Sequence, residues 1–192
     1  MGKGMSYVIY LLIYGMVVTP LVGLLASWVD RKVTARVQYR VGPPLLQPAI
    51  DIVKLLGKEL VIPAGASRAT FLAAPAVGLA GTVLVATMLW VINIHSAESF
   101  VGDLIVVLYL LLIPSLGIIM GGFASGNPLA SLGASREMKL ILAYELPFVL
   151  AAMVPVVASG YTLRLGDILS FQAEHGAIAL SFEGRMALAV AV

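Results

Sequence analysis

No cysteine occurs among the 192 residues. That absence excludes a disulfide framework, and it excludes an iron–sulfur cluster or a cysteine-ligated zinc site within this chain. Any redox chemistry that uses such centres must take place in another polypeptide. Histidine is almost as scarce: the two residues, His95 and His175, stand alone in predicted loops and read as solvated side chains rather than metal ligands. Charge is sparse as well, at 11% where a soluble domain carries about 25%. So few charges cannot cover a water-facing surface, so the surroundings of the chain are lipid or partner subunits. Phosphate loops, catalytic triads and metal-spaced clusters are missing too. No catalytic residue, metal site or resident cofactor is therefore expected here, and no nucleic-acid partner.

What the chain has instead is apolar length, with 60% hydrophobic residues and a mean hydropathy of +1.02. Four runs, approximately Ser6–Trp28, Ala69–Ile94, Leu104–Phe123 and Met138–Ala158, exceed the roughly 18 apolar residues that mark a helix spanning a bilayer core. The first ends in Asp30-Arg31-Lys32, a stop-transfer flank, and so reads as a retained span rather than a cleaved leader. Each run contains proline (Pro20, Pro75, Pro114, Pro147, Pro155), which membrane helices tolerate when neighbours satisfy the freed carbonyls. A fifth run starts at about Met186 and covers only about 10 Å before Val192, so it reads as an incomplete fifth span. The expected fold class is all-α, a polytopic transmembrane bundle forming one membrane domain over 1–192.

Seven of the twelve basic residues fall in the first loop (Arg31, Lys32, Arg36, Arg40, Lys54, Lys58 and Arg68). The loop from His95 to Gly102 has none, and the third holds Arg136 with Lys139 beside it. The positive-inside rule then places loops one and three on the cytoplasmic side of the inner membrane, with the N-terminus outside. Arg164 and Arg185 run against this count.

Within the first loop, Gln47, Asp51, Lys54 and Lys58 recur at helical spacing and make one polar stripe, with Ile50, Ile52, Val53, Leu55 and Leu56 filling the remainder. This predicts an interfacial amphipathic helix over about 47–59, too short to span. Before it, Arg36, Gln38 and Arg40 alternate ahead of a rigid Gly42-Pro43-Pro44 break. Such a group of cations beside a polar stripe suits docking of another protein or the wall of a polar cavity, and a plain membrane-surface helix also fits.

The fourth run contains an acid, Glu145, about seven residues from its expected start. An ionisable group at that depth costs about 2.5–3.5 kcal/mol on insertion scales. It is retained either as a proton-relay carboxylate, with Tyr144 supplying a hydroxyl, or as a neutral partner in a helix–helix hydrogen bond. Pro147 nearby frees a carbonyl one turn back. Glu98 and Asp103 read as flanks of the third span, and Gly117, Gly121 and Gly122 as contact points for close helix packing.

These motifs resemble the NADH dehydrogenase subunit 1 family. The first-loop pattern Asp30-Arg31-Lys32, Arg36-Val-Gln38, Arg40-Val-Gly42-Pro43 and Gln47-Pro48-x-x-Asp51-x-x-Lys54-Leu55-x-x-Lys58-Glu59 is one signature. Gly121-Gly122-Phe-Ala-Ser125-Gly-Asn-Pro, Leu132-Gly133-Ala-Ser-Arg136-Glu-Met and Ala143-Tyr144-Glu145-Leu-Pro147 form the second. Asp30 departs from the glutamate common in the family, and the family's further helices and acidic loop are not represented. The short link from Pro44 to Gln47 and the run Ala124–Met138 are more similar to the energy-converting [NiFe] hydrogenase and formate hydrogenlyase branch than to the quinone-chamber subunit of complex I.

The resemblance implies a non-catalytic coupling subunit of an oxidoreductase complex. Its partners would be a hydrogenase-like large subunit and an iron–sulfur subunit carrying [NiFe] and iron–sulfur clusters, together with antiporter-like membrane subunits. Arg31, Arg36, Gln38, Arg40, Asp51, Lys54, Lys58, Glu59 and Arg136 would form the docking or quinone-cavity face, while Glu145 and Tyr144 would lie on a path for protons or sodium. The alternative within the family is the quinone-binding subunit of a complex I-like NADH:quinone oxidoreductase. Outside it stand a proton-coupled transporter, disfavoured because no internal repeat links the two halves, and a purely structural anchor.

Overall fold

The computed structural model describes residues 3–181; the expected fifth span from about Met186 lies outside them. The described residues are helical with no strand, and four of the helices are long and apolar enough to cross a membrane: Tyr7–Val37, Arg68–Ile94, Asp103–Ala124 and Pro128–Ala158. The chain divides into two compact units, Met1–Val61 and Ile62–Val192.

The first unit opens with α1 (Lys3–Tyr10), continues through a π-wound stretch (Leu11–Val18) and proceeds as α2 (Thr19–Val37). Pro20 supplies the reason for the wider turn. It has no N–H to give to the preceding turn, and the displaced ladder settles with both the Thr19 N–H and its hydroxyl donating to the Tyr14 carbonyl, the hydroxyl at 2.7 Å. Helix α2 ends where Arg40 N–H reaches back to the Ala35 carbonyl at 2.7 Å, with Tyr39 in the left-handed region at φ 55°. The loop then folds along α2. Trp28 donates its indole N–H to the Pro43 carbonyl at 3.1 Å, and a Cβ at Gly42 would lie 2.7 Å from Lys32 Cδ. Helix α3 (Gln47–Leu56) follows, and Gly57 closes it, so the expected amphipathic helix stops short of Lys58 and Glu59.

The second unit contains α4 (Arg68–Ile94), α5 (Asp103–Leu110), α6 (Ile113–Ala124), α7 (Pro128–Ala158) and α8 (Leu165–His175). Helices α5 and α6 make one span interrupted at Leu111–Leu112, because Pro114 withdraws a donor and crowds the carbonyl of Leu110. In lipid, helices gain little from hydrophobic burial against each other, so close packing of small residues holds them. Here α4 and α6 approach through Ala74, Gly78 and Gly81 on one side and Gly117 and Gly121 on the other; a Cβ at Gly117 would sit 2.9 Å from the Ala74 carbonyl oxygen. At one end of this pair the Ser67 N–H donates to the Ala124 carbonyl at 2.9 Å. Gly126, at φ 66°, lies so close to Gly65 that a Cβ would come within 2.6 Å of its carbonyl oxygen.

Helix α7 begins at Pro128, ten residues before the expected start at Met138. Asn127 caps it, accepting the Leu129 N–H at 2.9 Å, and proline suits a first turn that needs no donor. Apolar run length missed these turns because Arg136, Glu137 and Lys139 interrupt the hydrophobic pattern while leaving helical propensity intact.

A graded glycine series tests the packing. Gly117→Ala should lower thermal stability of the detergent-solubilised subunit by about 1–3 kcal/mol, the usual cost of overpacking. Gly133→Ala, where nothing lies within 4 Å of the new Cβ, should be neutral or slightly stabilising. Equal behaviour of the two variants in a thermal melt would contradict the proposed role of Gly117 in the α4–α6 contact.

Candidate functional site

The polar site of the first unit is centred on Asp51. The polar stripe of α3 faces the end of α2, where Arg31 projects. Arg31 Nη1 donates to Asp51 Oδ2 at 3.1 Å, and Gln47 Nε2, one turn before Asp51 on α3, donates to Oδ1 at 2.9 Å. Both carboxylate oxygens are thus engaged, first by the Gln47 amide and then by the Arg31 guanidinium, and together they hold the Asp51 carboxyl below its ordinary value. Arg31 and Asp51 remain 50% and 38% exposed. Their pairing therefore fixes geometry more than it adds stability, since exposed ion pairs contribute little.

The expected face divides accordingly. Arg31 and Asp51, with Gln47, are brought together. Arg36, Gln38, Arg40, Lys54, Lys58 and Glu59 are exposed around them. Arg136 is exposed on α7 in the second unit. Two residues that went unnoticed in the sequence are Tyr39 and Val41, each 99% exposed between and beside the cations. A tyrosine in the left-handed region is uncommon and strained. The chain-reversing Gly42-Pro43 pair was the available sign of a helix terminus just before it, yet nothing in residue type announced the conformation of Tyr39.

In the second unit Glu145 lies on α7, 17 residues from its first residue Pro128 and not about seven, because the helix starts earlier. It is half-buried and lines a cavity of 260 Å³ with Leu108, Tyr109 and Leu112 from the α5–α6 span and Phe148, Val149 and Met153 from α7. Tyr144 is turned elsewhere, its hydroxyl 3.4 Å from Ser115 Oγ on α6. Tyr109 is thus the tyrosine that shares the cavity with Glu145. It carries no motif and could be found only through packing.

Asp103 departs most from expectation. Far from simply flanking a span, it has no exposed surface. It accepts the Ser99 hydroxyl at 2.7 Å and the Leu165 N–H at 2.8 Å. His175 stacks on Phe171, centroids 4.3 Å apart. Among the described residues no group of three or more His, Cys, Asp or Glu side chains is placed to hold a metal ion.

Comparison with known proteins places this architecture. The model of the NADH dehydrogenase family matches residues 9–192, so the chain belongs to that family. It is 40% identical over 169 residues to the H-type subunit of the NADH-quinone oxidoreductase of Thermomicrobium roseum, covering 79% of this chain and 49% of that protein. Subunit 8 of the NADH-quinone oxidoreductase of Thermus thermophilus is 32% identical over 182 residues, covering 81% of this chain and 47% of the relative. The chain therefore spans about half the length of these curated relatives. Among solved structures, a chain of the membrane-bound sulfane sulfur reductase, an archaeal respiratory membrane complex, is similar with a TM-score of 0.71 and 29% identity over 97% of this chain and 60% of that one. The expected family is thereby confirmed. The finer hydrogenase assignment is not: the names of these relatives agree better with the quinone-linked alternative.

The Asp51 network yields a pH prediction. A carboxyl held low in the folded state contributes stability that is complete above its ordinary value and is lost as pH falls through the lowered one. Acidification through that range should therefore raise hydrogen exchange in α3 of the assembled protein. Asp51→Asn should show raised exchange already at neutral pH, with little further change on acidification. Identical pH profiles for the two forms would separate Asp51 from α3 anchoring.

Proposed function

We propose that the chain forms part of the H-type membrane subunit of a respiratory, complex I-like oxidoreductase. In this reading the face around α3 docks the hydrophilic redox arm beside a quinone-binding cavity, and Glu145 belongs to the ion path. The observation that carries it is the Arg31–Asp51–Gln47 network. It fixes a short amphipathic helix against the end of the first span, leaving Arg36, Arg40, Lys54 and Lys58 exposed to meet acidic groups of a partner or a polar headgroup. The names of the relatives support the quinone end of the reading.

The lysine and arginine count supports a cytoplasmic position for this face and for Arg136, in an inner membrane. Iron–sulfur clusters belong to partner subunits, since this chain has no cysteine to hold one. Antiporter-like membrane subunits would receive the ion-pumping step. Glu145 supports the coupling role by its position: an ionisable residue far along a membrane-spanning helix, beside a cavity it shares with Tyr109. Intramembrane acids at such places commonly take up and release protons.

A second reading, the coupling subunit of an energy-converting [NiFe] hydrogenase-type complex, is favoured by the short link between Pro44 and Gln47. Purification from native membranes in mild detergent separates the two. A photoaffinity quinone that labels residues 30–60, in a preparation without nickel, supports the quinone-linked reading; nickel with a hydrogenase large subunit supports the second.

The coupling role predicts that Glu145→Gln assembles normally and retains electron transfer but loses most ion pumping, measured in inverted vesicles with a pH-sensitive dye. Full pumping by the variant would remove Glu145 from the path and leave the chain as an anchor.

A further inference from the structure

We infer that Asp103 is a positioning residue for Glu145, acting through helix α5; this rests on the reading of Glu145 as part of the ion path. Its two oxygens join segments more than sixty residues apart, by the Leu165 N–H at 2.8 Å on one and the Ser99 hydroxyl at 2.7 Å on the other. Ser99 extends the clasp. Its hydroxyl oxygen accepts the Gly166 N–H at 3.1 Å, and its carbonyl accepts from Arg164 Nη2 at 2.8 Å. The first N–H groups of α8, which a helix leaves without internal partners, are thus satisfied by a buried serine and carboxylate. Gly166 is required at this contact, because a Cβ there would collide with the Ser96 carbonyl and lie 2.8 Å from Ser99 Cβ.

The clasp is linked to the wall of the Glu145 cavity through one apolar cluster. Leu104, next to Asp103, is buried with Val156 of α7 and Ile168 of α8, and Leu108 and Met153 pack against that cluster. Leu108 and Met153 also line the cavity of Glu145. One set of side chains therefore touches the clasp on one side and the acid's cavity on the other. Helix α5 is eight residues long, and the break at Leu111–Leu112 separates it from α6. Its position relative to α7 is set where it is tied down, and Asp103 is the tie at its first residue. Shifting α5 moves Leu108 and Tyr109 relative to Glu145. Tyr109 is the other titratable side chain lining that cavity.

The test uses the intact complex in native membranes, with Asp103→Asn, Ser99→Ala and Glu145→Gln compared by hydrogen–deuterium exchange and by the pH dependence of ion pumping. Asp103→Asn presents an amide donor to the Leu165 N–H or the Ser99 hydroxyl. It should raise exchange throughout residues 105–112 by roughly tenfold, the shift in local opening expected when one buried hydrogen bond is lost. It should also displace the pH midpoint of pumping. Ser99→Ala should do both more weakly, and it decides the matter if Asp103→Asn fails to assemble. Asp103→Glu should recover neither property, because the longer side chain does not fit an enclosed site. Exchange confined to residues 96–103 and 163–168, or an unmoved pH midpoint, would overturn the inference and leave Asp103 as a local loop fastener. Unchanged pumping in Glu145→Gln would instead remove the ion-path reading, while the exchange data would still decide whether Asp103 places α5.

Discussion

Across roughly 30 Å of hydrocarbon no water is available to satisfy a backbone or side-chain polar group, and this constraint decides where everything else in the molecule stands. Hydroxyls within the spans turn back on their own helices: Thr82 donates to the Gly78 carbonyl and Thr87 to that of Val83, at 3.0 and 2.7 Å. The buried polar residues Ser99, Asp103 and Ser125 lie at the two extremities of the third span. Between those extremities the α4–α6 approach is built around alanine and glycine. Against such a background the half-buried glutamate midway along α7 stands out as a departure.

The two units answer the constraint differently. In the first, charge is gathered beyond the apolar part of the helix, and a carboxylate, an amide and a guanidinium hold an amphipathic helix in place at the cost of little buried polar surface. In the second, one carboxyl, that of Asp103, is fully enclosed and held by Ser99 and the Leu165 N–H, while Glu145 is half-buried beside a cavity. The family assignment accommodates both behaviours, since its members named as quinone oxidoreductase subunits and the similar chain of the sulfane sulfur reductase belong to complexes with different chemistries. The motifs of the chain are thus enough to define the family, while the finer hydrogenase assignment stays unconfirmed and the names of the relatives agree better with the quinone-linked alternative.

The number and approximate placement of the spans were legible because run length and hydropathy respond directly to bilayer thickness. The amphipathic helix was legible because Gln47, Asp51 and Lys54 share one helical face, although Lys58, expected on the same stripe, falls beyond its end. The start of α7 was not, since three charged residues concealed nearly three further turns that Asn127 and Pro128 had initiated. Nor was the depth of Glu145, which depended on that start. The close α4–α6 approach was half legible: Gly117 and Gly121 signalled a contact, but its partners Ala74 and Gly78 are ordinary in composition. Asp103 was misread as a flank because an aspartate at the start of a span is common, and its burial depends on Ser99 and Leu165, separated from each other by 66 positions. Contacts that distant leave no trace in local pattern.

The break at Leu111–Leu112 has a consequence of its own. It divides one span into two halves held by different forces. Helix α6 is secured by dispersion between closely packed small residues, which hardly responds to pH or ionic strength. Helix α5 is secured at its first residue by a few directional hydrogen bonds to one side chain, which entering solvent can compete for. The proline thus acts as an insulator: it interrupts the helix between the polar fastening of α5 and the small-residue seam of α4 and α6, so the two halves of one span are held independently.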